Sequence, residues 1–346
     1  MILIMIIFDH AQKQETKMRD GDDSAGATQL LRRRLLQLLG ASGLLPTVLH
    51  AQQDVVRMVV PFTPGTTPDL CARLVGPHLQ QRLGRTFVAD NRPGASGMIG
   101  MDTVAKAAPA SALLFGTSTM LTLPFVYAKV PFDVLRSFAP VGMIGDTNFA
   151  LAVHPSVPAK DARELVSWIK AQGAPVDYAS PGKGTFQHLT MEWFAHLAGV
   201  KLNHVPYKGS GPAQADVLGG HVKLMIMPLH VAVPLAADGK LRILGATRRE
   251  RDAAFPNVPP LHDAGVPGLD ADAWYAVWAP KGLGAEPVAQ NNAALRAALS
   301  DPEVQSTLAR QGVRVRPGSP AELQTATQAE YDKWGALIKA IKLPLE

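Results

Sequence analysis

One cysteine, Cys71, stands in 346 residues. That excludes an intramolecular disulfide framework and any cysteine-rich metal site. Charge is sparse as well: only 18% of residues are Asp, Glu, Lys or Arg, and 34 basic against 29 acidic residues leave a net +5. The mild excess is spread along the chain. Its one short cluster, Arg248-Arg249-Glu250-Arg251, has no interleaved aromatic residue to stack a base, which argues against a nucleic-acid role. Internal repeats and low-complexity segments are missing. After residue 51 no apolar run is long enough to span a bilayer. Hydrophobic residues, in contrast, make up 47% of the chain. At this length they suffice for two domains with cores of their own.

The N-terminus reads as an export signal. Arg32-Arg33-Arg34 precedes a short apolar run from Leu35 to Leu45, then Pro46 and a small residue, Ala51. This is the order of a basic region, an apolar core and a cleavage site. Arg32-Arg33 followed by Arg34-Leu35-Leu36-Gln37 also resembles a twin-arginine signal. A transmembrane anchor is the competing reading, but the run is too short and is broken by Gly40, Gly43 and Pro46. The apolar stretch Met1–Phe8 does not fit the layout of a signal, so Met18 is the expected start. Residues 1–51 are thus expected to be an extension and signal, with a mature protein beginning near Gln52 outside the cytoplasm.

The most informative stretch is Val176–Gly199. Val176 to Ala179 has strand composition. Ser180-Pro181-Gly182-Lys183-Gly184 breaks it, and Thr185 is a good N-cap. Leu189, Trp193, Phe194 and Leu197 then recur at helical spacing, with Gly199 as the stop. Strand, glycine-rich loop and helix start together favour an anion above the loop, through free N–H groups and the helix dipole. The same construction recurs earlier. Val55–Phe62 is a buried strand, Thr63-Pro64-Gly65-Thr66-Thr67-Pro68-Asp69 is a turn-rich loop, and a helix runs on through Leu79. Further strands are expected at 87–90, 112–116, 138–144, 149–153, 222–227, 241–247 and 274–280, with helices between them and to the end. That alternation predicts a mainly parallel α/β fold with ligand loops at the carboxyl ends of the strands.

Val59-Val60-Pro61-Phe62, Pro64-Gly65 with Asp69 and Ala72-Arg73, and Asn91-Arg92-Pro93-Gly94 occur in that order. They are followed by Tyr178-Ala179-Ser180 with His188-Leu189 and Glu192, His204-Val205-Pro206-Tyr207-Lys208-Gly209, and Gly239-Lys240-Leu241-Arg242. In this order the blocks resemble the Bug-type solute receptors of tripartite tricarboxylate transporters, over nearly all of residues 54–340. The resemblance implies a two-lobed, type II periplasmic-binding-protein fold with a hinge between two Rossmann-like domains. The expected division is 54–153 plus 275–346 for lobe 1 and 154–274 for lobe 2.

It also implies a small carboxylate held by amides and hydroxyls of the two loops. The expected ligand residues are Phe62, Thr63, Gly65, Thr66, Thr67 and Asp69 in the first, and Ser180, Gly182, Gly184 and Thr185 in the second. Ser118, Asn148, His188 and Tyr207 complete the set. Lys183 is expected to point to solvent. Membrane components of such a transporter are the implied partners; a monomer without cofactor is expected. Three departures stand out: Thr66 replaces a usual second glycine, Pro68 is unusually rigid, and Pro109-Ala110-Ser111-Ala112-Leu113-Leu114 is a shortened form of a longer family segment.

Two other readings compete. Ser180-Pro181-Gly182-Lys183 matches the Ser-x-x-Lys pattern of acyl enzymes, but Pro181 and Gly182 make a loop where those enzymes need a helix. His188, Glu192 and His196 share one helical stripe, as metal ligands could. Either would make the chain an exported hydrolase. A ligand-sensing subunit for a membrane kinase is the third possibility.

Overall fold

The computed structural model describes residues 55–343; the expected signal and start site lie outside them. Alternation builds the first strand. In β1 (Val55–Val60), Val56, Met58 and Val60 pack into one core and Val59 into another, on the opposite face. β1 joins β2 (Thr86–Asn91), β3 (Ala112–Thr117), β4 (Phe138–Thr147), β10 (Ala273–Pro280) and β11 (Val313–Val315) in a sheet of order β11-β4-β10-β3-β1-β2. A second sheet has the order β7-β6-β8-β5-β9, from β5 (Phe149–Val153), β6 (Val176–Ser180), β7 (Leu202–Pro206), β8 (Leu224–Pro228) and β9 (Arg242–Ala246). Ten α-helices are described: α1 (Thr67–Leu83), α2 (Met98–Ala105), α3 (Leu123–Val126), α4 (Ala162–Ala171), α5 (Phe186–Ala198), α6 (Ser210–Leu218), α7 (Leu229–Ala237), α8 (Ala285–Leu299), α9 (Pro302–Arg310) and α10 (Pro320–Ile341).

The direction of β5 and β10 shows how the sheets face each other. β1, β2 and β3 are parallel, as are β6, β7 and β8. β10 runs against β3 and β4, and β5 against β8 and β9. Each is the first strand after a crossing between sheets. A chain that leaves one sheet at the carboxyl ends of its strands and enters the next at the corresponding edge must run opposite to the rest. One crossing is a single residue, Asn148, between β4 and β5; the other spans 247–272.

The expected division of the chain is therefore corrected by one strand. Phe149–Val153, assigned to lobe 1, pairs with β8 and β9 in the second sheet, because the crossing falls at Asn148. Two further elements carried no signal in the sequence. β11 has three residues, and the 3-10 turn Ser118–Thr122 with the four-residue α3 is too short for a period to show.

Gly199 ends α5 where the expectation put it, in the left-handed region at φ 61°, and Gly84 ends α1 in the same way at φ 65°. Among the described residues no helix is long and apolar enough to cross a membrane. Cys71 is fully buried in the α1 core, and burial pushes its thiol up to about 12. It is a small core residue and not a reactive one.

Candidate ligand-binding site

The carboxyl ends of β1, β2 and β3 carry the loops that begin at Pro61, Arg92 and Ser118. Those of β6 and β7 carry the loops that begin at Pro181 and Tyr207. Hydrogen bonds across the sheets bring the two sets together: Ser96 Oγ donates to the Lys183 carbonyl at 2.7 Å, and Thr122 Oγ1 reaches the Gly184 carbonyl at 3.0 Å. The Ser96 turn in turn lies against the start of the first loop, since a methyl added at Gly97, its last residue, would fall 3.3 Å from Cβ of Pro61.

Asp69 shapes the first loop. Its carboxylate accepts the Gly65 N–H at 2.9 Å, Asn91 Nδ2 at 3.0 Å and Arg73 Nε at 3.0 Å. Burial pushes this carboxyl up, but hydrogen bonds from Arg73, Gly65 and Asn91 outweigh it and hold it below the usual carboxylate range. Asp69 is only 3% exposed and its lone pairs are taken, so it builds the loop. Thr66 is the N-cap of α1 but its side chain makes no capping bond; it donates to the Thr63 carbonyl instead. At this helix start the N–H groups of Thr67 and Asp69 meet no protein acceptor among the described residues. They are open donors at a positive helix end. Phe62, Thr63 and Gly65 line the same turn, half-buried or exposed.

The second loop differs from expectation. Its glycine amides are engaged: Gly182 N–H donates to Ser180 Oγ at 3.1 Å, Gly184 N–H to His188 Nδ1 at 3.0 Å, and Thr185 N–H to the Gly182 carbonyl at 3.3 Å. Thr185 Oγ1 donates to the same carbonyl at 2.7 Å and caps α5 by accepting from His188 N–H. The loop folds back on itself because five residues cannot leave that many donors unpaired so close to a core. The open donors lie one step further on, at Phe186 and Gln187 in the first turn of α5, with no protein acceptor among the described residues.

Beneath α5 is a polar cluster that the sequence shows only in pieces. Tyr178 and His204 are register partners on β6 and β7, so their side chains share a face, with Ser180 two residues on. Ser180 Oγ lies 2.6 Å from His204 Nε2, His204 stacks on His188 at 4.0 Å, and Tyr178 OH donates to Glu192 Oε1 at 2.5 Å. Burial first, then the neighbouring charges of His204 and Lys183, push His188 down to about 3; burial and Lys183 push His204 down to about 4. Both rings are neutral at physiological pH. Lys183 is half-buried and near enough for its charge to act on both.

Other expected residues separate by role. Asn148 is 2% exposed at the crossing, where its Oδ1 accepts N–H groups of Phe149 and Arg248 and so fixes the passage between the sheets. Ser118 is 1% exposed and its Oγ accepts the Trp274 N–H at 3.4 Å. Tyr207 donates to Asp216 at 2.5 Å, and its phenol, raised by burial and by Asp216, is pushed up to about 12. Ser180 is wholly buried and its hydroxyl is occupied in the loop. The stripe His188, Glu192 and His196 does not converge, because Glu192 turns to Tyr178 and His196 is exposed. Among the described residues no group of three or more His, Cys, Asp or Glu could hold a metal ion.

Comparison with known proteins agrees with this geometry. Residues 71–343 match the tripartite tricarboxylate transporter family receptor. The periplasmic binding protein BugD superposes with a TM-score of 0.77 at 29% identity, over 84% of this chain and 99% of BugD. Rpa4515 from R. palustris, solved with adipate, gives 0.77 at 33% identity, over 83% and 97%. MatC from Rhodopseudomonas palustris, solved with bound malate, gives 0.76 at 29% identity, over 82% and 98%. The chain has the two-lobed, type II periplasmic-binding-protein fold and belongs to the tripartite tricarboxylate transporter receptor family.

Proposed function

We propose that this protein is an exported receptor that binds a small carboxylate between its lobes and delivers it, unaltered, to the membrane components of a tripartite tricarboxylate-type transporter. One observation carries the reading. The carboxyl ends of the parallel strands of both sheets face each other, and two helix starts there present unpaired N–H groups, at Thr67 and Asp69 and at Phe186 and Gln187. Such donors suit an anion in a site that excludes water. Two relatives of similar fold were solved with adipate and with malate, both dicarboxylates, which suits one carboxylate per helix start.

In this reading Phe62, Thr63, Gly65, Thr66 and Thr67 line one wall; Gly182, Gly184 and Thr185 shape the other. Asp69, Ser180 and His188 hold the loops in place, and Ser118, Asn148 and Tyr207 brace the strand ends and the crossing. The division into lobes falls at the crossings, after Thr147 and before Ala273. The protein acts as a monomer without a cofactor. The export pattern at residues 32–51 supports a periplasmic location.

The test is calorimetry over mono-, di- and tricarboxylates, beginning with adipate and malate, with chromatography of the recovered ligand. One carboxylate should bind with unit stoichiometry and be recovered unchanged. A hydrolysed ester or amide would favour an enzyme instead. No binding across the panel would reject the carboxylate reading.

A further inference from the structure

Two hydroxyls meet at a single carbonyl of the second sheet's loop: Ser96 comes from a loop of the first sheet, and Tyr127 from a segment packed against the cores of both. Ser96 Oγ donates to the Lys183 oxygen at 2.7 Å, Tyr127 OH reaches the same oxygen at 3.2 Å, and the two hydroxyls are 2.8 Å apart. One peptide on, Thr122 Oγ1 reaches the Gly184 oxygen. The proton count closes. Ser96 gives its proton to the Lys183 carbonyl, Tyr127 shares its own between Ser96 and that carbonyl, and Thr122 shares one between its own helix turn and Gly184.

The backbone under Ser96 is costly. Ala95 and Ser96 have φ 46° and 52°, the left-handed region that side chains disfavour. Gly94 and Gly97 flank them, so glycine would sit at either position without strain. Ser96 makes no core contact that demands a serine; it is half-buried, and its hydroxyl bonds are those to Tyr127 and Lys183. A strained residue kept for one hydroxyl points to the partner of that hydroxyl. Gly184 is matched to the other side: its φ is 75°, and a methyl there would come 3.3 Å from Val126 Cγ1.

We infer that Ser96, supported by Tyr127 and Thr122 at the same pair of carbonyls, is a positioning residue that clasps the Pro181–Thr185 loop across the cleft and sets how long a bound carboxylate is retained, without touching it. The retention part rests on the receptor reading above. Hinge opening separates the facing loops and must break the bond between Ser96 and Lys183, so this bond favours the closed state alone. A contact present only in the closed state slows release and leaves encounter unchanged.

The experiment compares the wild-type protein with Ser96→Gly, Tyr127→Phe and the double variant. Small-angle scattering without ligand comes first. The double variant should be measurably more expanded than wild type, while its melting temperature stays equal or rises because the strain is gone. Stopped-flow with adipate should then show release roughly tenfold faster and association unchanged, the scale of one or two lost hydrogen bonds. Thr122→Ser should behave as wild type. Equal scattering of wild type and double variant overturns the clasp. Expansion with an unchanged release rate overturns its role in retention. A lowered melting temperature without expansion makes the residues merely structural. If wild type binds no adipate, the receptor reading loses that support, and scattering still decides the clasp.

Discussion

Gly184 donates its backbone N–H to Nδ1 of His188 at 3.0 Å, so the neutral imidazole carries its proton on Nε2. Ser180 and His204 make the complementary arrangement. With Nε2–H of His204 donating to Ser180 Oγ and the serine donating to the Gly182 carbonyl, the hydroxyl also accepts from the Gly182 N–H. Two neutral histidines thus fix the shape of the loop that faces the other lobe.

This makes stability depend on acid. Both rings have folded pKa values near 3 and 4, below the ordinary 6.5. Between those values and about 6.5 the unfolded chain binds more protons, so protonation favours unfolding. The histidine contribution is complete above about pH 6.5 and is lost as pH falls towards 4. Its size is on the order of several kcal/mol for the pair. Urea denaturation of wild type should show a steeper loss between pH 7 and 5 than His188→Gln, which cannot titrate. Parallel pH dependence in the two proteins would contradict the assignment.

Thr185 is the N-cap of α5, bonded to the Gly182 carbonyl and to His188 N–H. Thr185→Val keeps the shape and removes both bonds. It should cost about 1–2 kcal/mol of folding stability, the usual range for a lost cap, with Thr185→Ser near wild type. Denaturation midpoints at constant m-value would read this directly.

Asp146, 3% exposed at the end of β4, accepts from Arg248, Arg314 and Arg316, and Arg248 also bonds Asp272 at 3.1 Å. Arg248 follows β9 in the second sheet, so the group ties the two crossings together. Asp146→Asn leaves the buried Arg248 guanidinium with Asp272 alone and should cost about 3 kcal/mol, the lower end for a broken buried pair. Arg314 and Arg316 are more than half exposed, and substituting either should cost under about 1 kcal/mol. Calorimetric melting of the three variants would rank them.

Export should yield a mature chain beginning near Gln52. Sequencing the N-terminus of periplasmic material checks the cut, and Arg32→Lys with Arg33→Lys should trap precursor if the twin-arginine route is used. Full-length chain recovered from the cytosol of the native host would exclude the signal.

Local pattern made most elements legible. The alternation in Val55–Val60, the helical spacing of Leu189, Trp193, Phe194 and Leu197, and the stop at Gly199 act within one turn or one strand. Their outcome is therefore written in neighbouring residues, and the two strand–loop–helix units, with the anion-favouring ends they create, could be read directly. What the chain could not show depends on residues far apart. Asn148 became a crossing residue because its Oδ1 meets Arg248, 100 positions away. His204 joined the cluster because β7 pairs with β6 in a register that sets it beside Tyr178. The Gly182, Gly184 and Thr185 amides turned inward because Ser180, His188 and the loop's own carbonyl came within reach. Tyr127 follows a helix of only four residues, too short to leave a period, and Ser96 lies in a loop whose strain is invisible in composition. Hydrophobic pattern and capping chemistry thus determined the elements, while hydrogen bonds between elements, available only after the sheets were paired and opposed, decided which polar groups hold loops and which remain free for a ligand.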